Sequence, residues 1–197
     1  SIRALVGCGI AAAIAASFNT PIAGVIFAME VVMMEYTVAG FIPVMLAAIT
    51  GAAMSRAIYG SDEIFNIPVI EMTSLWELPF IALLGLVIGC CSALFMGVLK
   101  VALRFNDKPI LTRMTFAGLV TAICALIVPE VMGIGYDSLN SALANQLPIT
   151  LLLALIAAKI IATAASTGLG MPIGLIGPNL LIGACVGSAM STLGNHL

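Results

Sequence analysis

Charged residues are scarce in this chain of 197 residues. Only 8% of the residues are Asp, Glu, Lys or Arg, whereas a soluble domain has about 25%. Hydrophobic residues make up 62% and the mean hydropathy is +1.22, which excludes a soluble globular domain. The net charge is −2, and no basic stripe predicts a nucleic-acid partner. We therefore expect an integral membrane protein that lies in the lipid bilayer and binds no nucleic acid.

The residues of catalytic and metal sites are scarce as well. The chain has one histidine, His196, and its five cysteines lie in apolar runs without metal-ligand spacing. No phosphate-binding loop, nucleophile elbow or Ser/His/Asp set is present. The sequence therefore predicts no enzyme, no metal site and no cofactor, and we interpret the cysteines as small buried hydrophobic residues.

Apolar segments separated by Pro, Gly and polar residues fill the chain. They predict an all-α, polytopic membrane protein in which some helices are shorter than the roughly 20 residues that cross a bilayer. Pro21 should end one short helix and fit the first turn of the next. Residues 129–146 are expected to be amphipathic and loop-like. The predicted helices are residues 3–17, 22–35, 38–59, 75–105, 111–128, 149–163 and 178 to about 193.

The long predicted helix at residues 75–105 has small residues at a spacing of four. They are Gly85, Gly89, Ala93 and Gly97. Such a stripe lets helix backbones approach closely, so it predicts a face for helix packing.

The few charges differ between the predicted loops. The 100–113 turn holds four basic residues and one acidic residue, whereas the 60–77 and 129–146 loops hold six acidic residues and no basic one. Basic loops stay in the cytoplasm. We therefore expect the 100–113 turn to be cytoplasmic and the other two loops to lie on the opposite side.

A loop rich in Gly and Pro precedes the last apolar helix, within residues 166–187. Pro178 is expected to begin that helix. A helix N-terminus offers unpaired N–H groups and the positive end of a dipole, which suit an anion. Irregular backbone at membrane depth is tolerated only inside protein or along a cavity. The stretch therefore predicts an anion site inside a membrane protein.

Three blocks of sequence resemble the CLC family of chloride channels and chloride/proton antiporters. Residues 9–32 read GIAAAIAASFNTPIAGVIFAMEVV and are similar to the family's GxAAGxAAxFNAPLAGxxFxxE. Residues 159–184 resemble its block in which a Lys or Arg and a Thr precede G-x-F-x-P-x-L-x-I-G-A. Residues 129–136, PEVMGIGY, are similar to PEVLGxGY. The order and spacing of the blocks fit along essentially the whole chain.

The resemblance implies a partial copy of the CLC inverted-repeat fold. Residues 1–35 would end the first repeat, and about 38–197 would form most of the second. We expect flanking segments at both ends, which in the family supply a gate glutamate and a tyrosine hydroxyl that contacts the ion. A homodimer through helices 22–35 and 38–59 is also implied, where small residues such as Ala48, Gly51 and Ala52 would suit close packing.

The resemblance also implies which residues bind the anion. In the family, the amides of the two residues after the first Gly of G-x-F-x-P point at the central anion. Here these are the amides of Leu175 and Ile176, and Gly174, Gly177 and Pro178 complete the filter loop. Ile176 stands where Phe is usual, which keeps the amide but changes the apolar wall of the pore.

Glu30 and Val31 bear on proton coupling. In proton-coupled members a glutamate relays the proton, and the resemblance places that position on Val31 and the family's helix-end glutamate on Glu30. Valine cannot titrate, which favours channel-like or weakly proton-coupled transport of chloride or a similar anion. A chloride/proton antiporter that uses another internal acid, such as Glu30, stays open.

Lys159 lies inside an apolar run, where an unpaired charge is costly. It could reach the membrane surface, pair with a carboxylate, or add positive potential near the anion pathway. Two hypotheses of other classes also stay open: an unrelated secondary transporter of an organic anion, and a membrane scaffold without transport. Sodium-driven uptake that is insensitive to chloride would favour the first, and absence of anion flux the second.

Overall fold

The computed structural model describes residues 2–60 and 77–194, which form helices and turns without a β-strand. The all-α prediction is confirmed for this part of the chain. The predicted 60–77 loop falls, except at its two ends, outside the described residues. The chain divides into two compact units, Ser1–Ile64 and Phe65–Leu197, and each is described by itself. The predicted boundary between the two inverted repeats, near residues 35–38, is different from the boundary between these units and stays a prediction.

The first unit has three helices, of which two are short. They are α1 (Ile2–Phe18), α2 (Pro21–Phe27), which continues as a π-helical turn (Ala28–Met33), and α3 (Val38–Tyr59). Pro21 is the first residue of α2, as predicted, and Asn19 turns the chain before it with a φ of 54°. Only α3, with 22 residues, is long enough among these to cross a bilayer. The π-helical turn was not predicted.

Small residues bring α1 close to both of its neighbours. A Cβ added to Gly24 would lie 2.6 Å from the carbonyl oxygen of Ala11, and one added to Gly51 would lie 2.7 Å from that of Ala12. Ala48 and Ala52 are buried in the same apolar cluster as residues of α1. Ala48, Gly51 and Ala52 therefore pack inside the unit, which corrects the expectation that they are available for dimer contacts.

The second unit is arranged around one helix, α7. Its elements are α4 (Glu77–Leu103), α5 (Ile110–Ile127), a 3₁₀ turn (Pro129–Val131), α6 (Tyr136–Leu143), α7 (Ile149–Gly168) and α8 (Ile176–Gly194). α7 contacts α4, α5 and α8 and is the most buried helix of the unit. Together with α3, the helices α4, α5, α7 and α8 are long and apolar enough to cross a membrane.

The helix bounds in this unit differ from the prediction at several places. α7 continues to Gly168 instead of ending at residue 163, because its polar end has partners: the hydroxyl of Ser166 lies 3.1 Å from that of Thr121 on α5. The 129–146 segment was expected to be loop-like, but it contains α6. Its amphipathic character is as expected, since Leu139 and Ala142 are buried.

The small-residue stripe of α4 is not a packing face within the described residues. No atom lies within 4 Å of a Cβ added to Gly85, Gly89 or Gly97. The close approach of α4 and α7 occurs instead at Gly168, where an added Cβ would lie 2.4 Å from the Cβ of Ala102. The expectation was wrong for this unit because a row of small residues permits close packing but does not select a partner.

Gly168→Ala tests this crossing. We expect the variant to lose about 1–3 kcal/mol of stability, because the added methyl group overlaps Ala102 and the helices must separate. The measurement is the thermal midpoint of the detergent-solubilised protein. Gly118→Ala on α5 is the matched control, since its Cβ would meet no atom within 4 Å and Ala favours a helix. Equal midpoints for the two variants would contradict the crossing.

Candidate functional site

A glycine ends α7 and opens the loop that leads to α8. Gly170 has a φ of +93°, which an L side chain rarely adopts. Its N–H donates to the Thr167 carbonyl at 3.0 Å, and the Met171 N–H donates to the Ser166 carbonyl at 2.9 Å. This is the Schellman arrangement, which provides donors for the last carbonyls of a helix. Pro172 follows and prevents the helix from continuing.

α8 begins at Ile176, not at Pro178 as predicted. The N–H of Asn179 donates to the Leu175 carbonyl at 3.1 Å, which closes the first turn. Pro178 lies inside that turn. N–H groups in the first turn have no intrahelical partner, so the missing N–H group of a proline costs little there. The proline thus belongs to the helix start, but the helix begins before it.

Four consecutive amides at the start of α8 are unpaired within the described residues. The N–H groups of Gly174, Leu175, Ile176 and Gly177 donate to no acceptor in this part of the chain. Gly174 is exposed and Ile176 is 40% exposed, so the loop is open on this side. Unpaired amides at the positive end of a helix are an arrangement that can bind an anion.

The turn at residues 131–135 packs directly on the start of α8. A Cβ added to Gly177 would lie 2.9 Å from Cγ2 of Ile134, and one added to Gly135 would lie 2.8 Å from Cδ2 of Leu181. Gly135 also has a φ of +83°. Both glycines are therefore needed for this contact. No functional role was predicted for this turn, although the two glycines of MGIGY were a signal of close backbone approach.

Lys159 is buried near the middle of α7, with 3% of its surface exposed. Its ammonium group donates to the carbonyl oxygens of Val131 and Gly133, both at 2.9 Å. Lys159 forms no ion pair within residues 2–60 and 77–194. The side chain therefore neither reaches the surface nor pairs with a carboxylate in the described structure, and it ties α7 to the 131–135 turn.

Glu30 and Val31 lie in the π-helical turn of the first unit. Both side chains are exposed, Val31 by 52%, while Met29 and Met33 are buried. A π turn holds one residue more than an α turn and often occurs at functional sites. Because the extra residue displaces side chains from the α-helical positions, the directions of Glu30 and Val31 do not follow from sequence spacing alone.

Comparison with known proteins identifies the family. The family model for the voltage gated chloride channel matches residues 1–197. The chain belongs to this family. A ClcB-like protein of Ralstonia nicotianae is 34% identical over 195 residues, which are 97% of this chain and 45% of that protein. The chloride channel protein CLC-f of Arabidopsis thaliana is 32% identical, over 94% of this chain and 26% of that protein.

A third relative is the voltage-gated ClC-type chloride channel ClcB of Salmonella dublin, which is 28% identical over 92% of this chain and 45% of its own length. The chain thus spans less than half the length of these relatives. Membership of the voltage-gated chloride channel family confirms the resemblance. Together with the five helices that are long and apolar enough to cross a membrane, it shows that the chain is part of a multi-pass integral membrane protein.

Asn179 is a polar residue near the filter loop that was not among the predicted site residues. Its exposed side chain lines a groove of about 550 Å³ between α6 and α8 and another of about 310 Å³ between α4 and α8. The sequence feature that could have identified Asn179 is a polar residue directly after Pro178, at the start of an apolar helix.

Gly177→Ala tests the contact between the turn and α8. We expect a loss of about 1–3 kcal/mol of stability, because the new methyl group would overlap Ile134. The measurement is again the thermal midpoint in detergent. Adding Ile134→Ala should restore much of the loss by making space. Gly187→Ala in the same helix, which meets no atom within 4 Å, is the control, and a loss as large in the control would refute the contact.

Proposed function

We propose that this chain forms one wall of the anion pathway in a CLC-type transport protein, and that chloride or a similar small anion is its ligand. The observation that carries the proposal is the set of unpaired amides at the start of α8. By the family resemblance, those of Leu175 and Ile176 contact the ion, while Gly174, Gly177 and Pro178 shape the loop. Two of the relatives are named as chloride channels, which supports the choice of anion.

Neutral amides suit an ion that must leave as readily as it enters. They replace part of the hydration shell of the anion without a full positive charge, and binding weak enough for release is a condition of conduction. Membership of the voltage-gated chloride channel family argues against the hypothesis of an unrelated organic-anion transporter. No cofactor takes part in the proposed transport.

We propose further that transport is channel-like or only weakly proton-coupled. The support is Val31, which stands where proton-coupled members of the family have a titratable glutamate. The competing proposal is a chloride/proton antiporter in which Glu30 is the internal acid. Glu30 is exposed and lies next to Val31 in the π-helical turn, so it is the acid to test first.

Flux measurements on the full-length protein in liposomes test the anion pathway and the coupling together. We expect chloride efflux without a fixed accompanying proton flux, because Val31 cannot hold a proton. Glu30→Gln should leave chloride flux and any residual proton flux unchanged. Glu35→Gln, an exposed acid just beyond the π-helical turn, is the matched control.

Two results would contradict these expectations. A proton flux in constant ratio to chloride flux would overturn the channel-like mode, and its loss in Glu30→Gln but not in Glu35→Gln would identify Glu30 as the internal acid. Absence of chloride flux from the unmodified protein would overturn the anion pathway itself and favour a scaffold.

We also propose a homodimer through α2 and α3, and the predicted sidedness of the loops. Ile22 and Ile26 of α2 and Leu46 of α3 have exposed apolar side chains, which can contact either lipid or a second copy. The basic 100–113 turn and the 129–146 segment lie at opposite ends of α5, which supports their placement on opposite sides of the membrane.

Leu46→Trp combined with Ile49→Trp tests the dimer. Both side chains are exposed on α3, and bulky indoles should prevent close contact with a second copy, so the detergent-solubilised protein is expected to change from dimer to monomer. Size-exclusion chromatography with light scattering gives the mass. Leu86→Trp on the exposed surface of α4 is the control and should leave the mass unchanged. A persistent dimer in the double variant would place the interface elsewhere.

A further inference from the structure

We infer that Lys159 is a positioning residue for the anion site: it holds the 131–135 turn against α8 and thereby fixes the first turn of that helix. The consequence for transport rests on the proposed function, because that function makes the amides of the first turn the ligands of the anion. The inference follows from two consecutive contacts, both within the second unit.

The first contact joins Lys159 to the turn. The ammonium group is buried and donates to the carbonyl oxygens of Val131 and Gly133. These carbonyls lie outside regular helix bonding, and hydrogen bonds from a charged donor are stronger than those from a neutral one. Removing the ammonium group would leave both carbonyls without their donor, whereas removing the carbonyls would leave a buried charge. Each group therefore keeps the other in place.

The second contact joins the turn to α8. Ile134 occupies the space beside Gly177, and Gly135 lies against the side chain of Leu181. Neither contact leaves room for a methyl group. A displacement of the turn would therefore be transmitted to Gly177, which adjoins the two proposed anion-binding amides. The contact of Gly135 with Leu181 transmits such displacements because Leu181 is fully buried and packed interiors contain few voids.

We therefore expect Lys159 to affect the anion site by fixing the position of the amides at the start of α8, and not only through its positive charge. A shift in the direction of the Leu175 and Ile176 amides should change the preference between anions of different shape, such as spherical chloride and planar nitrate. A purely electrostatic effect would instead alter the uptake of both anions together. The ratio of nitrate flux to chloride flux therefore separates the two roles.

The test uses the full-length protein in liposomes and compares Lys159→Met with Lys159→Arg. We expect Lys159→Met to change the nitrate-to-chloride flux ratio by about fivefold, which corresponds to about 1 kcal/mol of differential binding. Lys159→Arg, which keeps donors for both carbonyls, should restore the ratio to near that of the unmodified protein. Lys108→Met, at an exposed lysine, is the control for loss of a positive charge and should leave the ratio unchanged.

Ile134→Ala provides a second test that changes no charge. It loosens the contact with Gly177 and should shift the ratio in the same direction as Lys159→Met. The double variant should shift it by less than the product of the two single effects, since both act through one turn. If Lys159→Met does not yield folded protein, Ile134→Ala alone decides the question.

The outcomes separate this inference from the proposed function. Normal chloride flux in the unmodified protein, with an unchanged ratio in Lys159→Met or in Ile134→Ala, would overturn the positioning role and leave the proposed function standing. Absence of chloride flux in the unmodified protein would overturn both.

Discussion

In an apolar chain, backbone groups at and beyond the ends of a helix need hydrogen-bond partners. At this site the carbonyls have donors in the part of the chain that the structure describes, whereas the amides at the start of α8 have no acceptor there. The carbonyls of Val131 and Gly133 accept from Lys159, and those at the end of α7 accept from the amides of Gly170 and Met171. The amides of Leu175 and Ile176 have no acceptor in the described residues. Because unpaired amides at a helix start carry the positive end of the helix dipole, this asymmetry favours an external acceptor. An anion is such an acceptor.

Close contacts keep these groups in place. Gly168 lets α4 approach α7, Gly177 admits Ile134, and Gly135 admits Leu181. α6 is held at its end as well, since the Ser188 hydroxyl of α8 lies 2.8 Å from the side-chain oxygen of Asn145. The start of α8 is held by the 131–135 turn at Gly177 and Leu181, and orienting donors before the ligand arrives lowers the cost of binding.

Much of this arrangement could be predicted from local sequence, and the rest depends on contacts that sequence does not reveal. Pro21 and the largely apolar run of 22 residues that forms α3 indicated their elements directly. The π-helical turn was missed because one additional residue leaves no compositional signal. α6 was missed because it is short and half polar. The partners of Lys159 could not be foreseen, since they are backbone carbonyls that precede it by 28 and 26 residues.

The position of the lysine reconciles a buried charge with an anion pathway. A cation directed at the ion would hold it strongly, because charges interact strongly in a medium of low dielectric constant. Lys159 instead donates to two carbonyl dipoles, so part of its charge stabilises the turn. Through Ile134 that turn supports the helix start, where neutral amides are presented. In the proposed function, the charge secures the geometry of the site, while the amides, which bind an anion more weakly, contact the ion. This division explains how a chain with 8% charged residues can retain a lysine in the interior of α7.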